Sequence, residues 1–189
     1  HVQVDAVLLD VERRAKGVVI VMHQMGSHGP AYYKRVPDNF KKFQPECKSN
    51  ALQECSREQV VNSFDNTILY TDHFLGQAIQ WLKKSDNTHA TAMLYVSDHG
   101  ESLGENGLYL HGTPYAFAPG QQTHVPWFIW LPDDYVKAKG IERDCIATLA
   151  KSGTFSHDNL FHSLLGAYGV QTQAKDPQLY LFSTCATAG

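Results

Sequence analysis

Thr91-Ala92-Met93-Leu94-Tyr95-Val96-Ser97-Asp98-His99-Gly100 is the stretch on which the reading of this chain turns. Apolar residues run without alternation to Ser97, as in a strand covered on both faces. An aspartate, a histidine and a glycine follow at once. In open α/β sheets, sites form at the carboxyl ends of the strands, so one short segment predicts both a strand and a site. Adjacent side chains on a strand point to opposite faces. Asp98 and His99 can therefore share a metal ion only where the strand has ended and the backbone turns, and Gly100 permits such a turn.

Working outward, Gly17-Val18-Val19-Ile20-Val21-Met22-His23 predicts a second buried strand, broken by Gly26, Gly29 and Pro30. Residues 31–55 are aromatic, basic and irregular, and Pro37 and Pro45 exclude a long helix there. Ser56 with Gln59 three residues on is a capping-box pattern. From there Val60, Val61, Phe64, Ile68, Leu75, Ile79 and Leu82 recur at helical spacing, predicting one long amphipathic helix that ends near Lys83-Lys84. After a loop rich in Gly and Pro, residues 124–131 predict a third strand. Residues 156–169 predict a shorter helix with Ser156 as N-cap and Leu160, Phe161, Leu164 and Leu165 facing inward. Strands alternating with helices argue for an α/β domain over residues 1–189, its largely parallel sheet flanked by helices.

The 189 residues are 43% hydrophobic and 19% charged, with net charge −3. Such a balance carries no strong field toward nucleic acid, and no nucleic-acid partner is expected. No apolar run approaches the roughly 18 residues of a membrane helix, and the first residues have neither a basic nor an apolar leader region. Four cysteines allow three disulfide connectivities. Cys47 and Cys55 bracket a short polar segment that can close as a small loop; Cys145 and Cys185 would then tie the two ends of the C-terminal segment. Free buried thiols are the other reading. Bridges would place the chain in an oxidising compartment.

Taken singly, the candidate site residues have bland readings. An Asp-His pair after a strand is commonly a hydrogen-bonded loop cap, His23 a satisfied core histidine, and Glu101 and Glu105 solvated loop charges. His28 and His111 stand in glycine-flanked loops that suit either role. Together they read differently. Ser97-Asp98-His99-Gly100-Glu101-Ser102-Leu103-Gly104-Glu105-Asn106-Gly107, followed by Tyr109-Leu110-His111-Gly112, resembles the metal-site signature of the lipid A phosphoethanolamine transferases. So do Met22-His23-Gln24-Met25-Gly26-Ser27-His28-Gly29-Pro30-Ala31-Tyr32-Tyr33, Phe43-Gln44-Pro45-Glu46-Cys47 with its partner Cys55, and Asn62-Ser63-Phe64-Asp65-Asn66. These enzymes belong to the alkaline phosphatase and sulfatase superfamily, and the likeness extends to the mobile colistin-resistance group.

The resemblance implies an alkaline-phosphatase-like α/β fold, here the C-terminal part of a periplasmic catalytic domain. It implies zinc held by Asp98 and His99, with His28, His111 and Glu101 near the phosphoethanolamine group or a second zinc, and His23 in support. The implied chemistry is ping-pong: a threonine takes phosphoethanolamine from phosphatidylethanolamine and passes it to a lipid A phosphate, which confers polymyxin resistance. The implied place is the periplasmic face of the bacterial inner membrane, reached through N-terminal membrane helices this sequence does not contain. The family's threonine and its first metal carboxylate also lie upstream of this sequence, and Thr113 does not match that position. The fold is accordingly expected to be incomplete on its N-terminal side, and the chain alone inactive. Two competing readings remain: a related sulfatase or phosphodiesterase, and a non-catalytic metal-binding fragment. The aromatic-basic stretch Tyr32-Tyr33-Lys34-Arg35 can meet a lipid headgroup, or be a solvated loop with one packed tyrosine.

Overall fold

Ser56 starts the longest element as its sequence requires. The Ser56 amide donates to Gln59 Oε1 at 2.9 Å and the Gln59 amide donates to Ser56 Oγ at 3.2 Å, closing the capping box. Helix α1 then runs Arg57–Ser85 and ends on Lys83 and Lys84. The structure is a computed structural model that describes residues 18–85 and 90–186. It divides into two compact units, one formed by residues 18–85 and 94–128, the other by residues 90–93 and 129–186.

In the first unit, Val60 of α1 packs into a core with Tyr32, Cys47 and Leu52, and Phe64, Leu103, Tyr109 and Leu110 close around it. Residues 31–55 form three single 3₁₀ turns (Tyr32–Lys34, Asp38–Phe40, Leu52–Glu54) and no long helix, as the prolines predict. The Cys47–Cys55 bridge closes this segment. Ser63 and Asn66 on α1 are buried and tie the same segment down: Ser63 Oγ accepts from the Cys47 amide, and Asn66 Oδ1 accepts from the Phe43 amide. Strand β1 (Met93–Val96) pairs with β4 (Trp127–Trp130), while β2 (Ser102–Leu103) and β3 (Tyr109–Leu110) form an antiparallel ribbon. A short helix α2 (Gly120–Thr123) precedes β4.

Two expectations need correction. No strand forms over the described residues 18–23, where Val19 and Val21 are 52% and 85% exposed. A β-branched run is held as a strand by cover on both faces, and these side chains have none. The expected third strand begins only at Trp127, because His124 caps α2. The described residues make a mixed helix and strand fold.

In the second unit, α3 (Asp133–Ala138) and α4 (Arg143–Ser152) follow β4, and α5 spans Asp158–Ala167. Its core gathers Tyr135, Ile141 and Phe182, and Cys145–Cys185 bridges α4 to the C-terminal turn. Both expected disulfides are therefore present. The N-cap of α5 is His157 rather than the expected Ser156, whose Oγ accepts from the Asp158 amide at 3.2 Å just before the helix. The inward face differs from expectation: Asn159 and Ser163 are buried, whereas Phe161 and Leu164 are exposed. Asn159 Nδ2 donates to the Leu179 carbonyl and Ser163 Oγ accepts from the Leu181 amide. Hydrogen bonds to an irregular segment, which hydrophobic periodicity does not register, orient this helix.

Candidate metal centre

β1 ends at Val96, and the chain turns through Ser97, whose hydroxyl donates to the His99 carbonyl at 2.8 Å. The turn keeps the Asp98 amide-facing oxygen on its own neighbour, since Oδ1 accepts from the His99 amide at 3.1 Å. Gly100 does not adopt a left-handed φ. Its amide donates to the Gln122 carbonyl at 2.9 Å, and a Cβ there would run into the Gln121 carbonyl oxygen. Glycine is required for close backbone approach, not for the turn.

The β2–β3 ribbon then brings His111 back beside His99. The residue before it, Leu110, is held at φ 66°, a left-handed conformation that costs a leucine of order 1 kcal/mol. His28 arrives from the loop before the first 3₁₀ turn, where Arg35 Nε donates to its carbonyl at 3.2 Å. The His99 and His111 rings stack with centroids 3.7 Å apart, and His28 stands edge-on to both at 5.8 and 4.9 Å. One ring nitrogen from each of His28, His99 and His111 falls in a group whose members all lie within 4.8 Å of one another.

Partners on the opposite side of each ring fix its tautomer. His28 Nδ1 donates to the Gly29 carbonyl at 2.7 Å, and His99 Nδ1 donates to the Gly100 carbonyl at 3.0 Å. A carbonyl oxygen only accepts, so Nδ1 carries the proton in both. His111 Nδ1 donates to Glu101 Oε1 at 3.1 Å. A neutral ring that donates through Nδ1 keeps its lone pair on Nε2, which is how metal-binding imidazoles are usually prepared. Asp98, with its side chain 74% exposed, sets Oδ2 3.8 Å from His99 Nε2. That is near the separation of about 3.4 Å kept by two ligands of a tetrahedral zinc. The donors fit a borderline-soft divalent ion.

Glu101 is the buried charge of the centre, its side chain 4% exposed. Oε1 accepts from the Gly29 amide at 3.1 Å as well as from His111, and Oε2 accepts from the Tyr32 hydroxyl at 3.0 Å. Burial, the Glu101 charge and this hydrogen bond together push the Tyr32 hydroxyl far above its ordinary range. Of the residues expected from the sequence, His28, His99, Glu101 and His111 come together and Asp98 touches His99. His23 is exposed and stands outside the trio. Glu105, expected as a solvated charge, accepts from the Leu103 amide at 2.7 Å and pairs with Arg57 at 3.3 Å.

Two contributors escaped sequence reasoning. Tyr32 belongs to the aromatic-basic stretch but is 1% exposed, so the packed-tyrosine reading holds for it. Gln122 is buried; its Nε2 donates to Ser102 Oγ at 2.9 Å and its Oε1 accepts from the Thr113 amide at 3.2 Å. Neither polar role has a sequence signal short of the fold.

Comparisons with known proteins agree with this architecture. The sulfatase family profile matches residues 3–170, and the chain belongs to that family. The chain is 47% identical over 167 residues to the phosphoethanolamine transferase EptA of Escherichia coli, covering 88% of this chain and 30% of that protein. It is 54% identical over 155 residues to the phosphatidylethanolamine transferase Mcr-2 of Escherichia coli, covering 82% of this chain and 27% of the relative. Its fold matches the soluble domain of lipooligosaccharide phosphoethanolamine transferase A from Neisseria meningitidis with TM-score 0.91 and 37% identity, over 97% of this chain and 57% of that one. The fold is thus the alkaline-phosphatase-like one of that soluble domain. The chain spans less than a third of the length of these two curated relatives, and among the described residues no helix is long and apolar enough to cross a membrane.

Proposed function

We propose that this chain is the C-terminal, metal-holding part of the catalytic domain of a phosphoethanolamine transferase. The reading rests above all on one observation: His28, His99 and His111, drawn from three separate segments, each bring a ring nitrogen into one group whose members lie within 4.8 Å of one another. The parent protein moves phosphoethanolamine from phosphatidylethanolamine to a lipid A phosphate. It works at the periplasmic face of the bacterial inner membrane, where its membrane-spanning part holds it and where both disulfides are at home. The relatives, phosphoethanolamine and phosphatidylethanolamine transferases, support the donor and the reaction class.

In this reading Asp98 and His99 hold zinc, and His28 and His111 face the phosphoryl group or a second ion. When bound, zinc supplies charge neutralisation at phosphoryl oxygens and a lowered pKa for a nucleophilic hydroxyl. His28 and His111 can each carry a proton to a leaving oxygen at Nε2, with Nδ1 tied to the Gly29 carbonyl or to Glu101. Glu101 keeps its charge away from solvent and holds the His111 ring in place. The nucleophilic threonine belongs to the part of the family's domain outside these residues, so the chain alone is expected to transfer nothing.

Zinc titration of the chain beside the double variant Asp98→Ala/His99→Ala tests the site. Stoichiometric binding lost in the variant is expected. Binding unchanged by both substitutions would remove Asp98 and His99 from the metal. In the intact parent, labelled headgroup should reach lipid A; release of the headgroup to water instead would favour the hydrolase reading.

A further inference from the structure

On the reading that His111 faces a second ion beside the zinc of Asp98 and His99, we propose that Tyr32 is a positioning residue for the centre: it orients Glu101, and through Glu101 the His111 ring. Glu101 has three donors and two oxygens. Among the described residues Tyr32 alone serves Oε2, while the Gly29 amide and His111 share Oε1. With both oxygens engaged, the carboxylate plane cannot rotate, and Oε1 stays aimed at Nδ1 of His111. The consequence is tautomeric. While Nδ1 has a fixed acceptor, the His111 proton stays there and Nε2 keeps the lone pair an ion needs.

The surroundings suit a rigid holder. Tyr32 is among the most buried residues of the chain and stands edge-on to Phe64 of α1, ring centroids 5.6 Å apart. Its hydroxyl lies so near Gly29 that a Cβ at that position would overlap it and the Leu110 side chain. Gly29 is therefore the residue that lets tyrosine hydroxyl, backbone amide and carboxylate meet. Removing the Tyr32 hydroxyl takes from buried Oε2 its donor among the described residues and lets the carboxylate turn toward other partners.

The test compares wild type, Tyr32→Phe and Phe64→Leu by two readouts. One is titration with cobalt(II) followed by visible absorption. The other is the His111 tautomer in the metal-free chain, read from nitrogen-15 NMR couplings. Tyr32→Phe is expected to weaken cobalt binding roughly 10- to 100-fold, the usual cost of losing a partner behind a ligand, and to populate the Nε2-protonated His111 ring. Phe64→Leu loosens the same packing without touching a polar atom; it should lower the melting temperature and leave both readouts as in wild type. Tyr32→Phe matching wild type in either readout overturns the positioning role while leaving the zinc reading intact. So does an equal loss in Phe64→Leu, which would reduce Tyr32 to packing. Failure of the wild-type chain to take up cobalt overturns the zinc reading, and the positioning role falls with it.

Discussion

His99 and His111 lie face to face with ring centroids 3.7 Å apart and an interplanar angle of 28°, yet they share no hydrogen bond. Each ring instead gives its Nδ1 proton to an oxygen on its outer side, the Gly100 carbonyl for His99 and Glu101 for His111. Two stacked imidazoles whose Nδ1 atoms are both engaged on their outer sides are a preorganised pair.

That stack depends on the backbone at Gly100. In Gly100→Ala the new Cβ would meet the Gln121 carbonyl oxygen, a backbone atom that cannot swing aside. The Gly100 amide bond to the Gln122 carbonyl must stretch or break. A loss of about 1–3 kcal/mol is expected from such overpacking, seen as a lower denaturant midpoint, together with weaker zinc binding.

Gln122 links β2 to the segment after His111, through Ser102 and Thr113. Gln122→Ala strands the fully buried Ser102 hydroxyl and the Thr113 amide. Chemical denaturation is expected to show a loss of about 1–3 kcal/mol. An unchanged midpoint would mean that water replaces both bonds at no cost.

The capping box predicts a smaller effect far from the metal. Ser56→Ala removes the acceptor for the Gln59 amide and is expected to cost about 1 kcal/mol. Zinc affinity should stay as in wild type, which separates helix stability from site geometry.

Alkaline pH probes Tyr32 directly. Burial first, then the charge and hydrogen bond of Glu101, raise its hydroxyl above the ordinary 10.0. The folded state therefore holds this proton more tightly than the unfolded chain. The stabilisation is complete below about pH 10 and is lost as pH rises beyond it, by about 1.4 kcal/mol per pH unit. Tyr32→Phe should flatten that decline in part, since burial also raises Tyr95, Tyr135, Tyr168 and Tyr180. Equilibrium unfolding between pH 9 and 11 reads the difference; equal slopes would show that Tyr32 ionises alike in both states.

Sequence patterns recovered what depends on local chemistry. The cap at Ser56, the length of α1 and the Asp-His step after β1 follow from neighbours a few residues away, and the motif strings located every histidine of the trio. Cover was harder to see. Residues 18–23 have the composition of a buried strand, but composition does not say whether other elements arrive to enclose it. The inward face of α5 was misjudged for the same reason, because Asn159 and Ser163 answer to carbonyl and amide groups twenty and eighteen residues away. Tyr32 and Gln122 make contacts across still larger or irregular separations.

Cys47 packs in the same small core as Tyr32 and is closed to Cys55. Thiol oxidation and carboxylate placement are thus mechanically coupled. With both cysteines reduced, the segment that buries Tyr32 would keep its hydrogen bonds to α1, such as the Cys47 amide to the Gln59 carbonyl, but lose its covalent closure. On the proposed zinc reading, the oxidised chain is expected to take up metal more tightly than the reduced one, because the bridge stiffens the frame around Tyr32 and Glu101. Zinc affinity measured with and without a reductant reads the difference; equal affinities would uncouple the bridge from the site.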